Sequence, residues 1–182
     1  ARHRLVATAT IPGSDVEYFP NNYNFQQYWP LTRWATMLFN VDLGYGAALG
    51  DTTSLPPYKN YFGGGPDTIR GFAENELGPK DDFGNPYGGD TLIAGQAEFL
   101  LPMPEKWQSK ARFSLFFDVG NVFSLGDVVF YDKTRLNPIE YDFDAGELKQ
   151  SFGIAAQWLA PLGLFRFSYA FPLNAEDATV TL

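Results

Sequence analysis

Alternation of bulky apolar residues with small or polar ones is the feature that most constrains this chain. It is clearest in residues 111–120, where one face carries Phe113, Leu115, Phe117 and Val119 and the other carries Arg112, Ser114, Phe116, Asp118 and Gly120. Successive side chains of a strand point to opposite faces, so this pattern predicts a β-strand. Similar alternation predicts strands over 35–45, with an outward set that begins at Ala35, and over 93–101, 152–158 and 164–171. Two weaker strands, 4–11 and 17–29, complete an all-β antiparallel fold of about seven strands.

The apolar faces of these strands are crowded with aromatic rings, which make up 17% of the chain. Such faces suit lipid, while the opposite faces, with Gly, Ser, Asn, Gln and charged residues, suit a watery lumen. Trp29, Trp34, Tyr45, Trp158 and Tyr169 lie near predicted strand ends, where interfacial aromatic girdles form. We therefore predict a transmembrane β-barrel. A water-soluble β-sandwich is the alternative, because its strands also alternate.

Chain length limits the size of the barrel. Short connections at 31–33, 102–108 and 161–163 alternate with long ones at 46–90 and 125–147, as expected for a barrel with tight turns at one rim. About sixteen strands of about 11 residues would need about 176 residues before any loop is counted. An odd set of strands would leave an unpaired edge in lipid. Either the chain has an eighth strand that the alternation pattern does not show, or it is part of a larger barrel.

Composition excludes several classes of function. The 13 Lys and Arg residues against 21 Asp and Glu give a net charge of −8, which argues against a nucleic-acid partner. The chain has no Cys and a single His, His3, so thiolate or multi-histidine metal sites and a Ser-His-Asp triad are not expected. No apolar run is long enough for a transmembrane helix, and no signal peptide is recognised at the start.

The longest loop contains the sequence FGGGPDTIRGF at residues 62–72. A phosphate-binding loop is excluded as an interpretation, because no Gly-Lys-Ser/Thr and no helical pattern follow. Asp81, Asp82, Asn85 and Asp90 do not match the spacing of a calcium-binding loop and are interpreted as solvated loop residues. No metal or cofactor is expected.

The IRGF segment, Ile69, Arg70, Gly71 and Phe72, resembles the [V/I]RGF motif of the BamA-type outer-membrane insertases. The sequence FFDVG at 116–120 resembles the [F/G]xDxG motif of the same superfamily. Further matches in the expected order are ATIPGSDVEY at 9–18, AEFLLPMP at 97–104, GIAAQWLAPLG at 153–163 and FSYAFPL at 167–173. The resemblance implies that residues 1–182 are the C-terminal half of a barrel of about sixteen strands. Periplasmic POTRA repeats, the first eight strands and the last strand would lie outside it.

The resemblance also implies a function and partners. Members of the family fold and insert β-barrel proteins into the bacterial outer membrane without catalysing a reaction. The implied mechanism is transient opening of the seam between the first and last strands, whose edge pairs with incoming strands. The expected partners are outer-membrane lipids, unfolded outer-membrane proteins and accessory assembly lipoproteins.

A loop of this length needs an anchor to be held in one place. Arg70 presents a planar fork of donors that suits carboxylates, and Gly63, Gly64, Gly65 and Gly71 permit a tight backbone path. Glu98 and Asp118 are the lumen-facing carboxylates on the next two strands, and Gly120 belongs to the second motif. We expect the loop to dock in the lumen, with Arg70 within about 2.7–3.2 Å of at least one carboxylate. The family resemblance implies the same pairing.

Two other functions compete with insertion. A related two-partner secretion transporter would pass a polypeptide through the lumen, but the segments ATIPGSDVEY and WLAPLG favour the insertase. An outer-membrane hydrolase would use Glu98 and Asp118 as an acid and base pair. A cation between the two carboxylates would hold both in the ionised form and remove the proton donor, which argues against hydrolysis.

Overall fold

The computed structural model describes residues 1–11, 13–33, 35–108, 110–126, 128–131 and 138–174. The strands are β1 (Arg2–Ala7), β2 (Tyr18–Pro30), β3 (Thr36–Ala48), β4 (Thr91–Leu100), β5 (Ala111–Phe123), β6 (Phe130–Tyr131), β7 (Pro138–Ile139), β8 (Lys149–Ala160) and β9 (Gly163–Pro172). Within these ranges, helical structure is limited to the single turns Pro57–Lys59, Glu105–Gln108 and Ala145–Glu147. The predicted all-β class is confirmed.

The long strands form one antiparallel, seven-stranded sheet in the order β1-β2-β3-β4-β5-β8-β9. Strands that are adjacent in the sheet are also consecutive along the chain, except that β6 and β7 come between β5 and β8. These two short strands pair only with each other. Among the described residues β1 and β9 do not pair, so the sheet is open at both edges. It is a segment of barrel wall rather than a closed barrel.

Local differences from the sequence predictions have simple causes. The strands β6 and β7, within the predicted loop 125–147, are too short for a period-two pattern to reveal them. Ala35 was predicted to face outward as part of a strand, and this is wrong. It precedes β3 in the turn, is buried, and its backbone N–H donates to Thr32 Oγ1 at 3.0 Å. Trp34 and the end of the chain after Asn174 lie outside the described residues.

The two faces of the sheet differ in the way that the alternation predicts. On β5, Phe113, Leu115 and Phe117 are 40–48% exposed, because none of the described residues packs over them. Between them, Ser114, Phe116 and Asp118 are at most 4% exposed, since the loop between β3 and β4 lies over this side. We call the first side the outer face and the second the lumenal face. The outer face is apolar and uncovered, which is the surface that a lipid bilayer solvates.

Aromatic residues near the strand ends lie on the outer face as predicted. Trp29, Tyr45, Trp158 and Tyr169 are each at least 40% exposed. The described part of the chain contains no helix with the length and hydropathy needed to cross a membrane.

Candidate functional site

The β3–β4 loop, residues 49–90, folds back over the lumenal face instead of extending away from the sheet. Three isolated bridges stabilise its path: Tyr61 with Gly89, Gly63 with Leu77, and Lys80 with Pro86. Within it, residues 64–72 form a closed turn, because the Gly65 N–H donates to the Phe72 carbonyl at 3.1 Å. The Thr68 hydroxyl donates to the Gly64 carbonyl at 2.8 Å and tightens the same turn. This turn, which we call the IRGF turn, carries Ile69 and Arg70 onto the sheet.

Two of the motif glycines are required by the backbone and by close approach. Gly64 has φ of +97°, in the left-handed region, and a Cβ there would lie 2.3 Å from the Ala73 carbonyl oxygen. Gly120 lies in β5, where a Cβ would meet the Ile93 carbonyl oxygen at 2.1 Å and Ile69 Cδ1 at 2.9 Å. The notch at Gly120 is therefore the space that Ile69 occupies. The other motif glycines, Gly63, Gly65 and Gly71, lie along the same loop path.

Arg70 binds both carboxylates that the sequence singled out. Its Nε donates to Asp118 Oδ2 and its Nη2 to Asp118 Oδ1, both at 2.7 Å, which makes a bidentate pair. Its Nη1 donates to Glu98 Oε1 at 2.6 Å. The backbone N–H of Arg70 also donates to Asp118 Oδ2, at 3.0 Å. The structure thus brings together Arg70 in the loop, Glu98 on β4 and Asp118 on β5.

The surroundings of Arg70 keep water away from these bonds. The side chain of Arg70 is 8% exposed and that of Asp118 is fully buried. The guanidinium lies over the ring of Phe116, with Cζ 3.6 Å from the ring centroid, so the ring quadrupole adds to the attraction. Hydrogen bonds between charged groups are stronger when desolvated, provided that each charge has its partner.

Apolar packing holds the IRGF turn beside the ion pairs. Ile69 is fully buried and forms a cluster with Leu77 and Ala94, against which Phe72 and Leu92 also pack. The cluster joins two loop segments to β4. Burying a side chain of this size contributes about 1.5–3 kcal/mol. The turn is therefore held both by charge and by hydrophobic contact.

Sequence reasoning missed two contributors to this site. Gln96 Nε2 donates to the Thr68 carbonyl at 2.6 Å, and its Oε1 accepts from Asn40 Nδ2 at 3.2 Å. This connects the turn to amide and carboxylate groups on β2 and β3, where Asn24 donates to Asp42. Gln96 lies two residues before Glu98 on the same face, and that spacing was a usable signal. Phe116 broke the polar pattern of the lumenal face, and this departure was the signal for its role.

Ser151 lies opposite Asp118 on β8 and is fully buried. Among the described residues, its hydroxyl is the buried side-chain polar atom with no hydrogen-bond partner. Both oxygens of Asp118 accept from Arg70.

The acidic loop residues serve as turn-forming acceptors. Asp81 Oδ1 accepts from the backbone N–H groups of Phe83 and Asn85 at 2.9 and 2.8 Å. Asp90 accepts from the N–H groups of Leu125 and Gly126 at 3.0 and 2.7 Å, which ties the two long loops together. In the described ranges, no three His, Asp or Glu side chains gather in a way that could hold a metal ion.

The geometry of the carboxylates bears on the hydrolase alternative. Glu98 and Asp118 both bind one guanidinium, and Asp118 has no exposed side-chain surface on which to meet a substrate. Such a pair holds two strands and a loop together. It lacks the free acid and free base that hydrolysis requires.

Comparison with known proteins agrees with this architecture. The Omp85 superfamily domain matches residues 1–181. The outer membrane protein assembly factor BamA of Neisseria meningitidis serogroup B is 34% identical over 188 aligned positions, which cover 93% of this chain and 23% of that protein. The BamA of Nitratidesulfovibrio vulgaris is 31% identical over 125 positions, covering 66% of this chain and 13% of its own length.

A solved structure supports the same conclusion. The crystal structure of BamA from Haemophilus ducreyi lacking POTRA domains 1-3 matches with a TM-score of 0.80 and 29% identity, over 96% of this chain and 36% of that one. The chain thus spans less than half the length of each of these proteins. The predicted resemblance and the outer-membrane location are confirmed, and the chain belongs to the Omp85 superfamily.

Proposed function

We propose that the chain forms the C-terminal half of the barrel domain of a factor that folds and inserts β-barrel proteins into the bacterial outer membrane. The observation that carries this proposal is the IRGF turn, docked by Arg70 on Glu98 and Asp118 in an Omp85 superfamily domain. The names of the BamA relatives describe outer-membrane protein assembly, which supports the same activity here. The chain acts by positioning other polypeptides, and it is not an enzyme.

In this proposal the Arg70 site is a loop anchor. It holds the IRGF turn against β4 and β5, so the loop narrows the lumen at a fixed place. Because Arg70 bonds to both strands, the same contacts also stiffen this part of the wall. The strand movement that insertion requires would then take place in strands other than β4 and β5. The free edges of β1 and β9 are where further strands of the barrel would pair.

The partners follow from the two faces of the wall. The outer face, with exposed Phe, Tyr and Trp side chains, contacts outer-membrane lipids. Unfolded outer-membrane proteins are the substrates, and accessory assembly lipoproteins act through the intact protein. POTRA repeats and the remaining strands would belong to that intact protein.

The test is an insertion assay with the full-length protein reconstituted in liposomes. The rate at which an unfolded outer-membrane protein acquires heat-resistant gel mobility is measured for the parent and for Arg70→Ala. We expect Arg70→Ala to slow insertion strongly. Arg33→Ala, which removes an exposed arginine from the β2–β3 turn, should leave the rate unchanged. Equal rates for the parent and Arg70→Ala would contradict the proposed anchor.

The same assay separates insertion from secretion. A secretion transporter would deliver a passenger polypeptide into the liposome interior and would not leave it folded in the bilayer. Passenger in the interior, protected from added protease, with no heat-resistant species would favour the transporter.

A second test addresses the extent of the domain. The isolated 182-residue chain is expected not to show heat-modifiable gel migration in detergent micelles, because β1 and β9 leave two unpaired edges. A heat-resistant, closed species from this chain alone would contradict the half-barrel proposal.

A further inference from the structure

Two arginines outside the loop anchor share one cross-strand row on the lumenal face. Arg112 on β5 lies opposite Gln157 on β8, and Gln157 lies opposite Arg166 on β9. Arg112 has the same alternation parity as Ser114 and Asp118, so it points to the lumenal side. The row lies close to the tight turn between Ala160 and Gly163. In barrels of this kind the short turns face the periplasm, so the row stands at the periplasmic mouth of the lumen.

The row borders a cavity of about 310 Å³. Arg112, Gln157 and Arg166 line one side of it, and Asp67, in the IRGF turn, lines another. Arg70 and Glu98 also reach this cavity, but they already bind each other at 2.6 Å. The cavity is therefore lined by one arginine with close carboxylate partners, Arg70, and by two further arginines, Arg112 and Arg166.

Neither arginine of the row has a strong partner. Among the described residues Arg112 makes no ion pair, and it is exposed. Arg166 Nη1 lies 3.9 Å from Asp67 Oδ1, a long contact between side chains that are 63% and 89% exposed. An ion pair so open to water contributes little. In a chain with net charge −8, two arginines on one row without a close carboxylate partner stand out.

The spacing of the row fits a single oxyanion. Neighbouring strands lie about 4.8 Å apart, so the Cα atoms of Arg112 and Arg166 are about 10 Å apart across β8. Arginine side chains are long enough to converge over that span, and the Gln157 amide between them supplies another donor. A guanidinium fork matches the two oxygens of a carboxylate. Asp67 shows that a carboxylate can approach this edge of the cavity.

We propose that Arg112, Gln157 and Arg166 form a binding site for a carboxylate of an acidic polypeptide segment that enters the lumen from the periplasmic side. The inference rests on the proposed insertion function, which brings unfolded polypeptides to this mouth, and it names a chemical feature that they would present. Gln26 also lines the cavity, and its side-chain amide supplies a donor and an acceptor for peptide groups. Asp67 competes with the incoming carboxylate for Arg166.

The test uses the full-length protein in lipid nanodiscs at low ionic strength, with no insertion reaction. The probe is a fluorescent peptide rich in Asp and Glu, and its control is the same peptide with Asn and Gln. Binding is followed by fluorescence anisotropy. The double variant Arg112→Gln/Arg166→Gln is expected to bind the acidic peptide about tenfold more weakly, since charged hydrogen bonds are lost. Arg33→Gln, outside the cavity, is the matched control and should bind like the parent.

A second variant tests the site without removing its charges. Asp67→Asn removes the competing carboxylate and is expected to tighten binding of the acidic peptide a few-fold. Unchanged affinity in both variants would overturn the proposal, as would equal binding of the acidic and neutral peptides. Inorganic phosphate that displaces the peptide as effectively as unlabelled acidic peptide would also overturn it, by showing a general anion site. Because binding is measured apart from insertion, loss of insertion in a separate assay leaves this result interpretable.

Discussion

Arg70 and Arg166 lie on the same lumenal side of the sheet, and each approaches a carboxylate, but their surroundings differ. Arg70 is 8% exposed at its side chain, binds two carboxylates at 2.6 and 2.7 Å and lies on the ring of Phe116. Arg166 is 63% exposed and stands 3.9 Å from Asp67. Both contacts belong to the IRGF turn, one near its apolar base and one near its tip.

The difference shows which contact holds the loop. Breaking a desolvated pair leaves a charge buried without its partner and costs about 3–5 kcal/mol. An exposed pair is worth under about 1 kcal/mol, because water screens it and side-chain entropy opposes it. The loop is therefore fixed at Arg70, and its tip at Asp67 is only weakly attached. This leaves Arg166 able to exchange its partner.

Arg70→Ala should have the largest effect. We expect the free energy of unfolding of the full-length protein to fall by about 3–5 kcal/mol, because Asp118 would be left buried without a cation. Denaturant unfolding followed by tryptophan fluorescence measures it. Adding Asp118→Ala should cost much less in the Arg70→Ala background than in the parent, since the two residues share one site. Fully additive losses would mean that the two residues do not act together.

Phe117→Arg tests the outer face against the lumenal face. Phe117 lies in the middle of β5 and faces lipid, so a charge there should cost about 2–4 kcal/mol of folding free energy. Asn22→Arg, at an exposed lumenal position of β2, is the control and should cost far less. Ser114 is a poor control because it is buried under the loop. Similar costs at positions 117 and 22 would show that the faces are assigned wrongly.

Gly120→Ala tests the notch that receives Ile69. The added methyl would meet backbone of β4 and Ile69 Cδ1, and such overpacking costs about 1–3 kcal/mol. Gly95→Ala on the adjacent strand is the matched control, because its nearest neighbour would be Val119 Cγ1 at an ordinary 3.5 Å. Limited proteolysis of the β3–β4 loop should accelerate in Gly120→Ala only. Equal cleavage of both variants would count against the notch.

Arg166→Ala should change stability by under about 1 kcal/mol, and added salt should erase even that effect. The same denaturant titration used for Arg70→Ala measures it, at low and high ionic strength. A loss comparable to that of Arg70→Ala would remove the distinction between the two arginines.

Asp81 extends the comparison to a half-buried loop carboxylate whose partners are uncharged, and it should show the smallest effect. Hydrogen bonds from the Asn85 side chain and from neighbouring backbone N–H groups lower the pKa of Asp81 from its usual value. With a lowered folded-state pKa, its contribution is present above the pKa of the unfolded chain and is lost as the pH falls through the folded pKa. Amide exchange of Phe83 and Asn85 in full-length protein should therefore lose protection on acidification, and Asp81→Asn should remove that pH dependence.

The face to which each strand side chain points could be predicted, because successive side chains in a strand alternate between the two faces. Once Phe117 was assigned to lipid, Asp118 had to face the lumen, and the structure places both so. The ends of strands depend on turn geometry, and the turn before β3 is where the assignment of Ala35 went wrong. Strands β6 and β7 pair only two residues each, so no local pattern marks them.

The candidate site was likewise predicted only in part from the sequence. Arg70, Glu98 and Asp118 were identified by motif and face, but their role as a loop anchor stays a prediction until variants are measured. The packing of Val122 against the loop was not predicted, because it depends on the path of a distant segment. A Cβ at Gly63 or Gly78 would come within 2.9 Å of Val122 side-chain atoms, a constraint visible only once the loop is folded.

The hydrogen bond from the Arg70 main chain to Asp118 has a consequence for sequence variation at this position. Of the four hydrogen bonds that residue 70 donates, this one does not depend on which side chain is present. Replacement by lysine keeps the positive charge but loses the fork, and replacement by alanine removes both, while either residue retains the amide donor. Proline alone would delete all four, because it lacks the N–H as well. Substitutions at residue 70 are therefore expected to be graded in their effect, because every residue except proline keeps this main-chain contact between loop and wall.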